Sequence, residues 1–415
     1  MGKKTVLILT FISYAQMHAA RTLWSYMQKY LTIDNYDKNK MGQAYLTFLL
    51  TYGIGMNTIG PMCCKNSLKH SIGISCMAVG MLFAILGILQ EFQLLTFPLV
   101  IILMAINGLI QSACYPACVN VLGNWFKNHK VGLMMGLWSG CVNAGDIYGL
   151  LIGDVVIQRL EMPVYWGFYF MSCCLILVSV ATLSFLQSEP RNQIQGVNES
   201  ESAPLILKQK NKSLNVLSAW LVPGVAIYAV GYACLKGTFY GFLDWLPFYF
   251  QQKGEKLENH SSYISQMFDV GCYVGGIFLG YLGDKYKRRA CYFVPSLLLA
   301  MCSMLVIKFC LDLIVWPYYL CILAIGIFQG GPYNNISGVI SIELTKQFEN
   351  DKAAISTVSS LIESTGTLTA AMFQIIIPRI GDEHLFTFLC LITLLAELVC
   401  CVLLFRELKA KRRSK

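Results

Sequence analysis

"GYLGDKYKRR", residues 280–289, decides how this chain is read, because "GPMCCKNSLK" at residues 60–69 echoes it 220 residues earlier. Each stretch is short, basic and led by glycine. Each follows an apolar segment of about 20 residues, the length a helix needs to cross a bilayer. A loop that recurs at the same place in two apolar arrays marks a chain built from internal repeats.

Working outward, the whole chain has the same character. Its 415 residues are 56% hydrophobic and 13% charged, with a mean hydropathy of +0.55. That lies outside ordinary soluble composition. Twelve apolar segments can be laid out, near 5–30, 41–61, 70–90, 95–124, 131–157 and 163–187, then 217–250, 260–282, 290–309, 314–343, 354–378 and 384–405. The one long polar connection is "QSEPRNQIQGVNESESAPLILKQKNKSL" at 188–215, with the composition of a linker. The expectation is an all-α membrane protein of twelve transmembrane helices. It has an N-terminal six-helix half over 1–187, a cytoplasmic linker over 188–215, and a C-terminal six-helix half with a basic tail over 216–415.

The basic residues orient this bundle. With a cytoplasmic N-terminus, 22 of the 32 Lys and Arg fall on cytoplasmic segments and 8 on the opposite side. This predicts that both termini lie inside. The net charge of +9 is then a topology signal, and no nucleic-acid partner is expected. The opening "KKTVLILTFISYAQMHAA" imitates a secretory signal, but its apolar character runs on past Arg21, so it reads as a first span. The 17 cysteines fall in spans, at their ends or in cytoplasmic loops, and imply no disulfide framework.

Arg21 and Lys236 are the two bases left inside spans. Tyr14, His18, Arg21 and Ser25 share one face of the first helix by their spacing. A guanidinium near the bilayer centre costs about 3 kcal/mol on insertion scales, so it should face a wet cavity. Its two parallel N–H donors match a phosphate, which a lysine cannot do. Tyr232, Lys236, Tyr240 and Asp244 form a similar face on the seventh span, with Lys236 about 12 Å from Asp244 along the helix. The alternative is structural: Arg21 paired with Asp146, Asp269 or Glu363, and Lys236 neutralised by Asp269. Gln111, Tyr115, Trp138, Asn143, Gln329, Tyr333 and Asn334 are candidates for the organic part of a substrate, although such residues in spans also hold helices together.

"GYLGDKYKRR" resembles the Gly-x-x-x-Asp-(Arg/Lys)-x-x-(Arg/Lys) signature of the major facilitator superfamily. "FDVGCYVGGIFLGYLGD" at 268–284, "LKGTFYGFLDWLPFYF" at 235–250, "YPACVNVLGNWF" at 115–126, "GPYNNISGVISIEL" at 331–344 and "STVSSLIESTGTLTAA" at 356–371 are similar to the sugar-phosphate exchangers of the organophosphate:phosphate antiporter family. The resemblance covers nearly every span. It implies a gate locked on the cytoplasmic side by Asp284, Lys285 and Arg288. It also implies a site built on Arg plus Lys, with Phe239 where bacterial members carry a second Arg. Asp146 stands where the family commonly has Asn, and Cys63 and Cys64 replace the acid of the first gate loop.

The resemblance therefore implies a secondary transporter exchanging an organic phosphate, of the sugar phosphate or glycerol-3-phosphate class, for inorganic phosphate by alternating access. Two other classes stay open. One is a proton-coupled carrier of another organic anion, which Asp146, Asp269 and Glu363 would permit. The other is a non-transporting interaction member. With no Gly-rich phosphate loop, metal-ligand cluster or nucleophile–base arrangement, neither an enzyme nor a cofactor nor a metal is expected. The surroundings are membrane lipid, the resemblance favours the endoplasmic reticulum, and the state expected is a monomer. "NHS" at 259–261 is a glycosylation sequon on the non-cytoplasmic side.

Overall fold

The computed structural model describes residues 2–33, 36–126, 131–190, 214–258, 260–286, 289–310, 314–348, 351 and 353–413. These are helices and their connections, with no strand among the described residues. The long helices are α1 (Lys3–Met27), α2 (Lys38–Asn66), α3 (Leu68–Glu91), α4 (Phe97–Gln111), α5 (Cys114–Phe126), α6 (Val131–Asp154) and α7 (Tyr165–Phe185). After the linker come α8 (Val225–Gln251), α9 (Ser261–Tyr286), α10 (Ala290–Cys310), α11 (Val315–Asn335), α12 (Ala354–Ile380) and α13 (Leu385–Arg413).

Each of the twelve predicted spans has its helix, and two of them are broken by non-helical turns. The stretch 95–124 is divided into α4 and α5 by a turn at Ser112 and Ala113. The stretch 217–250 starts as a short helix, Val216–Ala219, and breaks before α8 at Pro223 and Gly224. Gly224 has φ +102°, a backbone conformation that glycine adopts without a side-chain clash. Among the described residues, seven helical stretches are long and apolar enough to cross a membrane: α3, the α4–α5 stretch, α6, α7, α10, α12 and α13. The more polar remainder includes α1 and α8, which carry Arg21 and Lys236. Leu177, Phe185, Leu320 and Leu398 each expose more than half of their surface, as apolar side chains facing lipid do.

The chain forms two compact units that do not follow chain order. One gathers Met1–Lys127, Cys141–Ala219 and Thr345–Leu361; the other gathers Asn128–Gly140, Trp220–Leu344 and Ile362–Lys415.

Within the first unit, α1 lies close against α6. A methyl group at Gly145, Gly149 or Gly153 would run into Ala15, Ala19 or Tyr26 respectively. Small residues one turn apart allow this approach, and in a membrane such packing holds helices together. The residues that position Arg21 are therefore partly glycines on another helix.

Within the second unit, α9 and α11 are joined in the same way. Gly271 and Gly275 lie against the backbone of Leu323 and Ile327, while Gly326 and Gly330 face Phe268 and Cys272. Pro332 lies inside α11, where its ring has no N–H to give to the carbonyl one turn earlier. The chain then passes through a π-helical turn, Ile336–Ile340, into a short helix, Ser341–Leu344. Such turns cluster at functional sites.

Candidate functional site

Three clusters of polar residues stand out, one in the first unit and two in the second. In the first, the half-buried Arg21 donates through Nε to Gln111 Oε1 at 2.7 Å. Its guanidinium carbon lies 4.5 Å from the ring centre of Tyr52 and 5.1 Å from that of Phe48. Gln111 is itself fixed, since its Nε2 donates to Asn107 Oδ1 at 2.9 Å. An amide at one edge and two aromatic faces thus orient the guanidinium plane, and each ring adds about 0.5–2 kcal/mol.

The rest of the predicted face follows from the helix. Tyr14 packs edge-on against His18 with ring centres 5.0 Å apart, and its hydroxyl lies 3.4 Å from that of Tyr52. Tyr115 tilts against Tyr14 at 5.4 Å. His18 Nδ1 is 3.5 Å from Asp146 Oδ1, and Thr22 donates its hydroxyl to the same oxygen at 2.6 Å. Asp146 is thus engaged by α1 itself. Asn143 is half-buried on α6.

The second cluster surrounds Lys236, which is 2% exposed. Its Nζ pairs with Glu363 Oε1 of α12 and donates to Thr367 Oγ1 at 2.9 Å. Tyr232 donates its hydroxyl to the other carboxylate oxygen, Oε2, at 2.5 Å. The rings of Tyr232 and Tyr240 both lie 5.8 Å from Nζ. Gly366 makes room for the lysine, because a methyl there would sit 2.8 Å from Lys236 Cδ and from the Tyr232 ring. Lys236 thus pairs with Glu363, an acid the sequence reading offered to Arg21; Asp269, the acid expected beside Lys236, is half-buried on α9. Tyr333 stacks between Phe239, at 4.3 Å, and Tyr232, at 5.5 Å. Asn334 donates to the Cys272 carbonyl at 3.0 Å and so joins α11 to α9.

The third cluster is the predicted gate loop. Asp284, at the end of α9, accepts the backbone N–H groups of Gly132 and Leu133 at 2.8 Å each. A carboxylate on the first N–H groups of α6 meets the positive end of that helix. Arg289, 5% exposed, reaches Asp284 at 3.4 Å and Glu343 at 2.7 Å. Burial opposes its charge, but the hydrogen bond and charge of Glu343, with those of Asp284, hold its pKa above the ordinary value. Lys285 is exposed, with its ammonium 5.2 Å from the Tyr286 ring. Arg288 lies outside the described residues. Trp138, 2% exposed, is on the part of α6 that belongs to this unit.

Sequence reasoning gave Gln111 and Tyr232 little weight and missed Tyr52, Phe48, Thr22, Thr367, Arg289 and Glu343. Arg289 stands one residue past the position that the gate signature marks. No spacing rule points to the others, because their partners are distant in sequence.

The chain matches the family model described as Major Facilitator Superfamily over residues 6–372. It is 25% identical over 465 residues to putative glycerol-3-phosphate transporter 1 of Arabidopsis thaliana, covering 99% of this chain and 88% of that protein. It is 28% identical over 460 residues to sugar phosphate exchanger 3 of Bos taurus, covering 97% and 92%. Among solved structures it superimposes on the proton:xylose symporter XylE with a TM-score of 0.73 at 12% identity, covering 96% of this chain and 95% of that one. It also superimposes on the transporter FucP in its outward conformation, with a TM-score of 0.71 at 12% identity, covering 96% and 98%. A multi-pass membrane protein with this fold and a family match over most of its length belongs to the Major Facilitator Superfamily.

Proposed function

We propose that the protein exchanges an organic phosphate, of the sugar phosphate or glycerol-3-phosphate class, for inorganic phosphate by alternating access. The working parts are two six-helix halves, residues 1–187 and 216–415, joined by a cytoplasmic linker. Both termini are cytoplasmic, the unit of function is a monomer, and the membrane is that of the endoplasmic reticulum. The names of the relatives from Arabidopsis thaliana and Bos taurus support the substrate class.

Arg21 is the observation that carries this reading. A base on a helix of the membrane bundle is expensive there unless it has work to do. Here it is oriented by Gln111 and by the faces of Tyr52 and Phe48. An oriented guanidinium is suited to a tetrahedral dianion, which it takes through two parallel N–H donors. Lys236 is the phosphate-binding base of the second unit, and a phosphate competes there with Glu363 for the ammonium.

Labelled phosphate counterflow into phosphate-loaded proteoliposomes tests the proposal. Uptake accelerated by internal cold phosphate, and inhibited by external glucose 6-phosphate or glycerol 3-phosphate, is the expected result. The contact between His18 and Asp146 favours a second reading, a proton-coupled organic-anion carrier. That carrier would need a proton gradient and show no phosphate counterflow at equal pH. Glycan on Asn259, with none on Asn198 or Asn211, tests the orientation; all three lie outside the described residues.

A further inference from the structure

Gln329 lies on α11 and is 0% exposed, and neither Oε1 nor Nε2 of its amide has a hydrogen-bond partner among the described residues. A buried polar group without a partner costs about 1–3 kcal/mol, and native proteins leave few of them. In this side chain both ends of one amide are open. Its neighbours on α11 are differently placed. Asn334 donates to the Cys272 carbonyl, and Asn335 donates to the carbonyls of Gly276 and Gly331. Their amides serve the packing of α11 on α9 and on itself.

Gln329 precedes Tyr333 by four residues, so the two share a face about 6 Å apart along the axis. That face meets α8. Tyr333 stacks on Phe239 with an interplanar angle of 13° and on Tyr232 with an angle of 3°. Tyr232 in turn holds Glu363, the partner of Lys236. The ring stack thus fixes the turn of α11 that carries Gln329 relative to the lysine. An amide with a donor and an acceptor both open suits a group that accepts and donates at once, as a hydroxyl on a carbon skeleton does.

We propose that Gln329 binds a hydroxyl on the carbon skeleton of the organic phosphate, and so separates that substrate from inorganic phosphate. This rests on the exchange proposed above and names the residue that reads the organic part. Inorganic phosphate has no carbon-borne hydroxyl to offer this amide. A polyol phosphate does.

The test uses the full chain in proteoliposomes and compares the native protein with Gln329→Met, which keeps length and removes the amide. Two half-inhibitory concentrations are measured against labelled phosphate uptake, one for glucose 6-phosphate and one for cold phosphate. Loss of one hydrogen bond should raise their ratio about tenfold in a variant that elutes as a folded protein. An unchanged ratio means that the amide holds an internal water only, and overturns the inference. A Met variant that fails to fold, or weakens both ligands equally, assigns the amide to the fold or to the phosphate group and also overturns it. If the native protein shows no phosphate counterflow at all, the exchange reading falls first, and this inference with it.

Discussion

Lys236 of α8 and Glu363 of α12 form an ion pair buried within the second unit, with the Tyr232 hydroxyl on the carboxylate's other oxygen. Lys236 is 2% exposed and Glu363 5%. Taking both charges from water carries a penalty of several kcal/mol per ion, which their attraction offsets only with good geometry and further hydrogen bonds. Tyr232 and Thr367 supply those bonds. On the exchange proposed above, phosphate takes the place of Glu363 at this charge.

Glu363→Gln removes the internal anion and leaves Lys236 buried beside a neutral amide. Breaking one side of such a pair destabilises by about 3–5 kcal/mol. Added phosphate should restore part of that loss, because an anion that binds only the folded state stabilises it. In detergent, the variant should melt below the native protein and gain more from phosphate than the native protein gains. Equal phosphate shifts in the two proteins would exclude Lys236 as an anion site.

The loop after α9 allows a ranking. Arg289 is 5% exposed and held by two carboxylates, so Arg289→Met leaves Asp284 and Glu343 facing each other. Asp284→Asn loses the charge on the first turn of α6 but leaves Arg289 with Glu343. Glu343, the more exposed acid, should matter least. The expected order of melting loss is Arg289→Met, then Asp284→Asn at about 1–2 kcal/mol, then Glu343→Gln. Glu343→Gln as the most harmful of the three would contradict this arrangement.

Helix number and position were legible in sequence because bilayer length and apolarity are local properties of a segment. Arg21 and Lys236 were legible for the same reason, as bases in apolar runs. Their partners were not. Glu363 is 127 residues from Lys236, and Gln111 is 90 from Arg21. Periodicity says which residues share a helix face, but not which helix that face meets. Sequence alone therefore offered Asp269 to Lys236, and the pairing with Glu363 became visible only with α12 beside α8. Arg289 shows the limit from the other side: the gate signature ends at the position before it, and nothing in a loop signature marks Arg289 as the residue that meets Asp284 and Glu343.

Glycine substitutions separate close approach from mere helix propensity. Gly149→Ala places a methyl against the backbone of Ala19, whereas Gly42→Ala on α2 meets nothing within 4 Å. The first should destabilise by about 1–3 kcal/mol through overpacking. The second should be neutral or stabilise by about 0.5–1 kcal/mol, as alanine does in a helix interior. Melting curves of the two purified variants check the contrast. Equal effects would mean that α1 does not depend on the glycines of α6.

Arg21→Lys is the sharpest test of the proposed chemistry, because it keeps the charge and removes the fork. The native side chain is held through Nε by Gln111 and lies over Tyr52 and Phe48. A lysine ammonium has no planar guanidinium to fill that slot, and it meets phosphate as a point charge instead of through paired donors. The fold has little reason to fail, since the same charge stays on the same face of α1. Phosphate counterflow should fall by at least about tenfold, the equivalent of one charge-assisted hydrogen bond, while the size-exclusion profile stays that of the native protein. Arg21→Gln should do no better, having lost the charge as well. Native exchange by the lysine variant would show that charge alone suffices and that the bidentate role assigned to Arg21 is wrong. Loss of exchange with an aggregated profile would instead place Arg21 in the packing of the first unit.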